Sequence, residues 1–362
     1  MSKKEIAYNS PLRCGRELRG HFGKIYCLFS QVYSAKERNK KKKKKKRTCA
    51  YTNTNTNTNK IHNLKKKKKI WNSKTGLKRQ VISVEHNSVM AVDFSPDGSL
   101  LAGGGLDNVC SIFHKDDYSS AKCELLEHQG YVSQCRFMSN YEIITSSGDS
   151  SCLLWDIETR SVKSRFRAHK ADVIGIDNMN ETINTKHHSL VLTGSIDKTV
   201  KLWDIRVSKK ISSETDHTGS TPFGCGTDHC VMTFYGHEND VNAVKWFPSY
   251  NFTFASASVD GTVRLWDLRS MGQLNLYDYG NHVEKSNALP TPPAVTSITF
   301  SKSGYFLFAA YDDYPHCVAW NTMSALPHSI LEHNDAISSL AMTKDGFALV
   351  TAGWDMTGRI WA

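Results

Sequence analysis

Short apolar stretches in this chain alternate with polar residues at period two, and every third stretch closes on an aromatic residue. In one clear unit Tyr131-Val-Ser-Gln-Cys-Arg-Phe137 is followed by Glu142-Ile-Ile-Thr-Ser-Ser147 and then by Ser151-Cys-Leu-Leu-Trp155. Alternation over so few residues, bounded by Gly, Asp, Asn and Ser, predicts short strands joined by tight turns. The closing pattern returns as IWN at Ile70–Asn72, LWD at Leu154–Asp156, Leu202–Asp204 and Leu265–Asp267, AWN at Ala319–Asn321 and IWA at Ile360–Ala362, with a degenerate SIFH at Ser111–His114. A histidine precedes each ending: His21, His86, His128, His169, His237, His282 and His333, which makes seven units. The steps from His86 to His128 to His169 are 42 and 41 residues, within the period of a four-stranded propeller blade. One small sheet cannot bury both faces, whereas sheets arranged radially bury each against its neighbours. The predicted fold is all-β, a seven-bladed β-propeller.

The polar members of the repeat have a structural task. His128, the turn residue Asp149 and Trp155 are placed to meet inside one blade. Histidine can donate from one ring nitrogen and accept on the other, indole only donates, and carboxylate only accepts. A closed chain of such bonds ties turn to strand and leaves no buried polar group unpaired. Asp107, Asp197, Asp260, Asp313 and Asp355 suit the same role. These residues are read as staples, not as metal ligands or a catalytic dyad. The last unit stops after its third strand, at Trp361-Ala362, and Arg16–Gly20 is a spare strand that can complete it and close the ring.

The first unit departs from the pattern. Between Phe29 and Ile70 stand Lys40–Lys46, Arg47, the repeat Thr52-Asn-Thr-Asn-Thr-Asn-Thr-Asn59 and Lys65–Lys69. This insert, residues 36–69, has almost nothing apolar to bury, so it is expected to be disordered and to disrupt the first blade. Two homopolymer tracts around a dipeptide repeat point to a retained intron or faulty gene model; the rival is a basic loop that touches acidic lipid or RNA. Residues 178–188, 207–230 and 277–293 read as surface loops. The domain plan is a tail over 1–15 and a propeller over 16–362.

Composition changes the picture in one respect. The formal charge is +11, but removing the 13 positives of Lys40–Arg47 and Lys65–Lys69 leaves a ring near −2, so the charge is no argument for nucleic-acid binding. Scattered cysteines at strand positions, such as Cys110, Cys135 and Cys152, read as free buried thiols. Cys225, His229 and Cys230 lack a paired Cys-x-x-Cys and read as loop residues, so no metal or cofactor is expected. No phosphate loop, nucleophile elbow or zinc-protease motif is present, and the chain is not expected to be an enzyme. No leader, spanning segment or lipidation box is visible. The expected location is cytoplasmic, with any membrane attachment through partners.

The turns after each histidine and around each aspartate should gather on one rim. They carry Lys24, Tyr26, Met90, Leu106, Asn108, Tyr131, Asp172, Asp240, Asn242 and Trp354, a mixture of aromatics and Met/Leu with carboxylates and amides that suits a protein-binding patch. The residues alone leave open whether Tyr26, Met90 and Leu106 are instead strand-end core.

Several stretches carry a more specific likeness. Gly103-Gly-Gly-Leu-Asp-Asn-Val-Cys-Ser-Ile-Phe113, Thr145-Ser-Ser-Gly-Asp-Ser-Ser-Cys-Leu-Leu-Trp-Asp156, Gly236-His-Glu-Asn-Asp-Val-Asn-Ala-Val244, Ala310-Tyr-Asp-Asp313 and Gly353-Trp-Asp355 resemble successive WD-repeat blades of heterotrimeric G-protein beta subunits. Ile70–Arg79 and the long loops look most like fungal mating-pathway members. The resemblance implies that the ten rim residues contact a GDP-bound alpha subunit, and that release of alpha frees the rim for effectors downstream of a G-protein-coupled receptor. Ser88, Ile174 and Val259 depart from the family's Trp, Met and acidic residue, which implies weaker or different alpha binding. The family's amino-terminal helix captures the gamma subunit, which carries the lipid anchor. Met1–Gly15 is short and broken by Pro11 and Gly15, so gamma binding is in question. The alternative reading is a WD-repeat scaffold of the ubiquitin-ligase substrate-receptor type.

Overall fold

The computed structural model describes residues 12–19, 25–32, 46–52, 66–72, 75, 77–84, 89–179, 189–206, 230–248, 252–282 and 292–362. After β1 (Cys14–Leu18) the strands come in fours. They are β2–β5 (Ile25–Val32, Lys46–Thr52, Lys66–Trp71, Lys78–Val84), β6–β9 (Val89–Phe94, Leu100–Gly105, Cys110–His114, Cys123–Leu125) and β10–β13 (Val132–Phe137, Glu142–Ser147, Cys152–Asp156, Ser161–Phe166). Then follow β14–β17 (Val173–Asn178, Leu190–Ser195, Val200–Asp204, Cys230–Phe234) and β18–β21 (Val241–Trp246, Thr253–Ser258, Thr262–Asp267, Gly272–Asp278). A short α1 (Tyr279–His282) precedes β22–β25 (Val295–Phe300, Phe306–Tyr311, His316–Asn321, Pro327–Glu332) and β26–β28 (Ile337–Met342, Leu349–Gly353, Gly358–Trp361). Each set is an antiparallel four-stranded sheet, and the last takes β1 as its outer strand. The architecture is an all-β propeller. Six blades are described with their side chains; the β2–β5 sheet is described mainly as backbone.

The first strand of each sheet packs on the first strand of the next. The hydrophobic core therefore lies between blades. Cys110 and Ile112 of one blade pack with Phe137, Ile143 and Trp155 of the next, and Trp155, Trp203 and Trp320 are fully buried. Period-two alternation places the other strand residues on the opposite sheet face.

Each inner strand carries one bulge near its start, between Val89 and Ala91, Val132 and Gln134, Val241 and Ala243, and so on around the molecule. Its inner edge would leave N–H groups unpaired. Side chains from the neighbouring blade take several of them. Phe137 N donates to Asp93 Oδ2 at 2.7 Å, Ile176 N to Gln134 Oε1 at 3.0 Å, Trp246 N to Asp177 Oδ2 at 3.0 Å and Leu340 N to Ser297 Oγ at 3.1 Å. At the bulges Ser133 Oγ donates to Val173 O at 2.5 Å, Asn242 Nδ2 to Val295 O at 2.9 Å and Thr296 Oγ1 to Ile337 O at 2.7 Å.

Four of the inner strands also carry alternating charge. Arg136 lies 3.9 Å from Asp93 and 3.7 Å from Asp177, and Lys245 meets Asp177 at 2.6 Å. Asp177 thus has the closer partners. Asp93 is almost fully buried, and its Oδ1 accepts no hydrogen bond. Burial pushes its carboxyl up to about 6 against the pull of Arg136 and the Phe137 N–H. A raised folded pKa favours folding while the group is protonated, and the benefit is lost as pH rises from the usual carboxylate range through about 6. The expected result is that stability contributed here falls by roughly 3 kcal/mol between pH 4 and 7, and that Asp93→Asn flattens that slope. Denaturant midpoints measured across this range check it; equal slopes in parent and variant reject it.

Several expectations are corrected. The insert does not stand apart from the sheet: β3 and β4 lie within it, and Thr48 pairs with Trp71 while Lys68 pairs with Tyr51 and Ile82. Backbone pairing is open to any residue with an N–H, even where the side chains are unsuited to burial. The strand paired with β28 is described as Cys14–Leu18, beginning two residues before the expected Arg16, with Cys14 opposite Trp361 and Leu18 opposite Gly358. Met179 still hydrogen-bonds Leu190 beyond the expected loop start. Cys230 opens a strand, and Tyr277 is a fully buried strand residue, not part of a loop.

Candidate functional site

A repeated polar tetrad shapes the rim. In the β10–β13 blade His128 Nδ1 lies 2.8 Å from Asp149 Oδ2 and His128 Nε2 lies 2.7 Å from Thr145 Oγ1, which also accepts Trp155 Nε1–H at 2.8 Å. One proton arrangement satisfies every atom: indole donates to hydroxyl, hydroxyl to a neutral imidazole, and imidazole to carboxylate. The same set recurs as His169–Asp197 with Thr193 and Trp203, His237–Asp260 with Ser256 and Trp266, and His333–Asp355 with Thr351 and Trp361. Burial alone would raise the Asp149 carboxyl, but bonds from His128, Ser151 and the Gln129 N–H outweigh it and hold it far below the usual range.

The hydroxyl is the member that sequence reasoning missed. A signal was present: a Ser or Thr stands four residues before Asp149, Asp197, Asp260 and Asp355. Before Asp107 and Asp313 that position is Gly103 and Ala309. Among the described residues Asp107 bonds its own turn, through Val109 N at 3.4 Å, and Phe113 stands where the other blades carry an indole. Asp313 meets no histidine among the described residues; its N–H donates to Asp312. That blade carries packed rings in this region, Tyr279 against Tyr311 at 4.6 Å and Tyr277 against Trp320 at 5.9 Å. The histidine of this unit, His282, has its side chain outside the described residues, so the expected staple role of Asp313 lies outside them too.

The tetrads define one edge of the sheets. Each staple turn bonds the residue just before the inner strand: Gly148 N to Tyr131 O, Ile196 N to Asp172 O, Val259 N to Asp240 O and Trp354 N to Ala336 O, at 2.8–3.0 Å. Tyr131, Asp172, Asp240 and Trp354 thus lie along the same edge. Leu106 and Asn108 occupy the equivalent turn of the β6–β9 blade, and Leu106 is 49% exposed. Met90 and Asn242 are bulge residues at the top of their inner strands, half-buried. Tyr26 takes the corresponding place in β2, where only backbone is described, and Lys24 and Ser88 lie outside the described residues. Ile174 and Val259 are half-buried on the same edge.

Among the described members of the predicted set, Tyr131 and Asp172 touch each other directly. Tyr131 Oη donates to Asp172 Oδ2 at 2.9 Å, bridging two blades. Burial, with Asp172 as acceptor, pushes the phenol up to about 12, so it stays a donor at neutral pH. The ring lies over Gly148, where an added Cβ would come within 2.3 Å of it. Asn242 is engaged in its inter-blade bond, so its amide already has a structural task. The remaining residues are spread over several blades, with Met90, Leu106 and Asn108 on one and Asp240 and Asn242 on another. The set has no catalytic grouping: among the described residues no cluster of three His, Cys, Asp or Glu could hold a metal ion.

Comparison with known proteins gives one consistent answer. A family model described as "G protein beta WD-40 repeat protein" matches residues 54–362. The chain is 35% identical to a "Guanine nucleotide-binding protein subunit beta" of Zea mays, over 99% of this chain and 85% of that protein. It is 34% identical to the protein of that name in Arabidopsis thaliana, over 97% and 84%, and 35% identical to "Guanine nucleotide-binding protein subunit beta-1" of Nicotiana tabacum, over the same shares.

Proposed function

This chain belongs to the G-protein beta-subunit family of WD-40 repeat proteins, and from that premise we propose that its staple edge is the seat of a GDP-bound alpha subunit. As a heterotrimeric G-protein beta subunit it transduces by binding and is not an enzyme. Lys24, Tyr26, Met90, Leu106, Asn108, Tyr131, Asp172, Asp240, Asn242 and Trp354 are the proposed contacts. Nucleotide exchange on alpha releases this surface to effectors, so one patch serves two partners in turn. The observation that carries the reading is the shared edge on which Leu106, Asn108, Tyr131, Asp172, Asp240 and Trp354 stand, the last four at turns latched to an inner strand. Rigid turns present these groups without an ordering cost on binding.

Trp354→Ala tests it. The expected result is a loss of affinity for GDP-loaded alpha subunit by roughly 30-fold, as for a central aromatic contact, with the melting temperature little changed. Capture on immobilised alpha subunit, loaded with GDP or with a non-hydrolysable GTP analogue, reads it. Binding indifferent to nucleotide and to Trp354 would point to the scaffold reading instead.

The gamma subunit needs a different surface. Leu274, Leu276, Met323 and Leu326 are 39–80% exposed along the outer edges of two adjacent blades, which Asn275 ties together through Thr322 O and Met323 O at 2.9 and 3.0 Å. An apolar strip of this kind suits a partner helix. We propose it as the gamma seat, through which the chain reaches the inner face of the plasma membrane; failure to co-purify with any gamma subunit would remove this assignment. No described helix is long and apolar enough to cross a membrane.

The pairing of β1 with β28 supports a ring closed by the amino-terminal strand as a seventh blade outline, with the β2–β5 sheet between the last blade and the β6–β9 blade. In the proposed protein that sheet is the weak member, because its two middle strands come from the lysine-rich insert.

A further inference from the structure

The staple turns have two projecting positions, one on each side of the pinned aspartate. In the β6–β9 blade they hold Leu106 and Asn108, and in the last blade Trp354 and Met356. The two turns are equivalent residue for residue: each follows a strand ending in glycine, Gly105 or Gly353, and each leads into the third strand at Cys110 or Gly358. The proposed alpha contacts use both projecting positions in the first turn but only one in the second.

Met356 is placed where an apolar side chain is costly to keep. Its φ is 62°, in the left-handed region, and it is 44% exposed. Left-handed backbone suits glycine, and asparagine to a lesser degree; a larger side chain brings steric strain. The equivalent turns hold Asn108 at φ 64°, Ser150 at φ 62°, Lys198 at φ 67° and Gly261 at φ 81°, so the left-handed conformation recurs there with polar residues or glycine, and Met356 is the apolar member of the set. The turn gives Met356 no freedom to relax. Asp355 accepts from His333 Nδ1 at 3.0 Å, Asn334 N at 3.2 Å, Thr357 N at 3.0 Å and Thr357 Oγ1 at 2.8 Å, while Gly353 N and Trp354 N are held by Thr357 O and Ala336 O. A strained, exposed, rigidly held apolar residue adjoining a proposed hot spot is more readily explained by a contact than by folding.

We infer that Met356 is a specificity-determining contact of the alpha-binding rim, extending the apolar surface of Trp354 toward an apolar side chain on the alpha subunit; this rests on the assignment of the rim to alpha. The thioether is flexible and polarisable, and it adapts to a partner surface. It adds apolar area on a rim where Ser88, Ile174 and Val259 replace groups typical of the family.

Met356→Gly separates the two demands, because it relieves the backbone while deleting the side chain. The expected result is a raised melting temperature together with affinity for GDP-loaded alpha subunit lowered about fivefold or more. Met356→Leu, which keeps the apolar volume, should bind within about twofold of the parent. If Met356→Gly binds like the parent while Trp354→Ala loses binding, the rim assignment stands and the role of Met356 is overturned. If the parent itself binds alpha in neither nucleotide state, the rim assignment fails. A Met356→Gly chain that melts lower than the parent would overturn the strain argument.

Discussion

Replacing Thr145 by valine is expected to lower the stability of the propeller by about 3 kcal/mol or more, although the two side chains are nearly the same size. The hydroxyl is the hinge of the tetrad. It accepts Trp155 Nε1–H and faces His128 Nε2, at 2.8 and 2.7 Å, in a site closed to solvent. Valine leaves both nitrogens buried without a partner, at roughly 1–3 kcal/mol each. The loss then spreads to the rim, because His128 orients Asp149, and Asp149 binds Gln129 N and Ser151 N at 3.0 and 2.9 Å. Thr145→Ser keeps the hydroxyl and should lie within about 1 kcal/mol of the parent. Urea denaturation of the three proteins checks this; parent-like unfolding of Thr145→Val would mean that the tetrad adds nothing to stability.

The second large effect runs in the opposite direction. Lys68→Val is expected to stabilise the chain by roughly 2 kcal/mol or more. Lys68 stands three residues before Trp71 in β4. The corresponding third-strand position holds Cys110, Cys152, Val200, Val263 and Cys317, each at most 1% exposed. A lysine buried at such a position would have to neutralise or distort its surroundings, and that is the premise the substitution tests. Lys69, one step on, matches the place of Lys201, which reaches Thr233 Oγ1 at 2.9 Å, so a lysine is tolerated there. A rise in melting temperature for Lys68→Val, with none for Lys69→Val, would show that the lysine tract occupies a strand built for apolar residues. That outcome would favour a gene-model origin for the insert, and a mature transcript carrying the uninterrupted tracts would refute that origin. No gain from Lys68→Val would mean that position 68 is not buried in the folded chain.

The repeat was legible because it rests on local chemistry. Period-two alternation, the Trp endings and the Asp turns point to the strands of the β6–β28 region with errors of a few residues at their ends. The tetrads were only partly legible. His128, Asp149 and Trp155 could be named, but Thr145 could not, because a threonine in a strand is unremarkable until the fold brings it between two ring nitrogens. Asp313 shows the converse: it matches the turn pattern, yet Ala309 stands where the tetrads carry their hydroxyl. The inter-blade bonds of Asp93, Gln134, Ser133 and Thr296 join residues about 40 positions apart, a separation at which no local pattern speaks.

The sequence by itself determined the all-β repeat, the absence of enzymatic motifs and the turn positions around each aspartate, since each follows from side-chain alternation and turn chemistry within a few residues. The likeness to G-protein beta subunits was readable at the same level, in stretches such as Gly103–Phe113. Tertiary structure decided which histidines and aspartates become staples, the pairing of Tyr131 with Asp172, the charge ladder from Asp93 to Lys245 and the strained placement of Met356. These depend on distances between blades and on backbone angles at turn tips, which are set only when the sheets pack against one another.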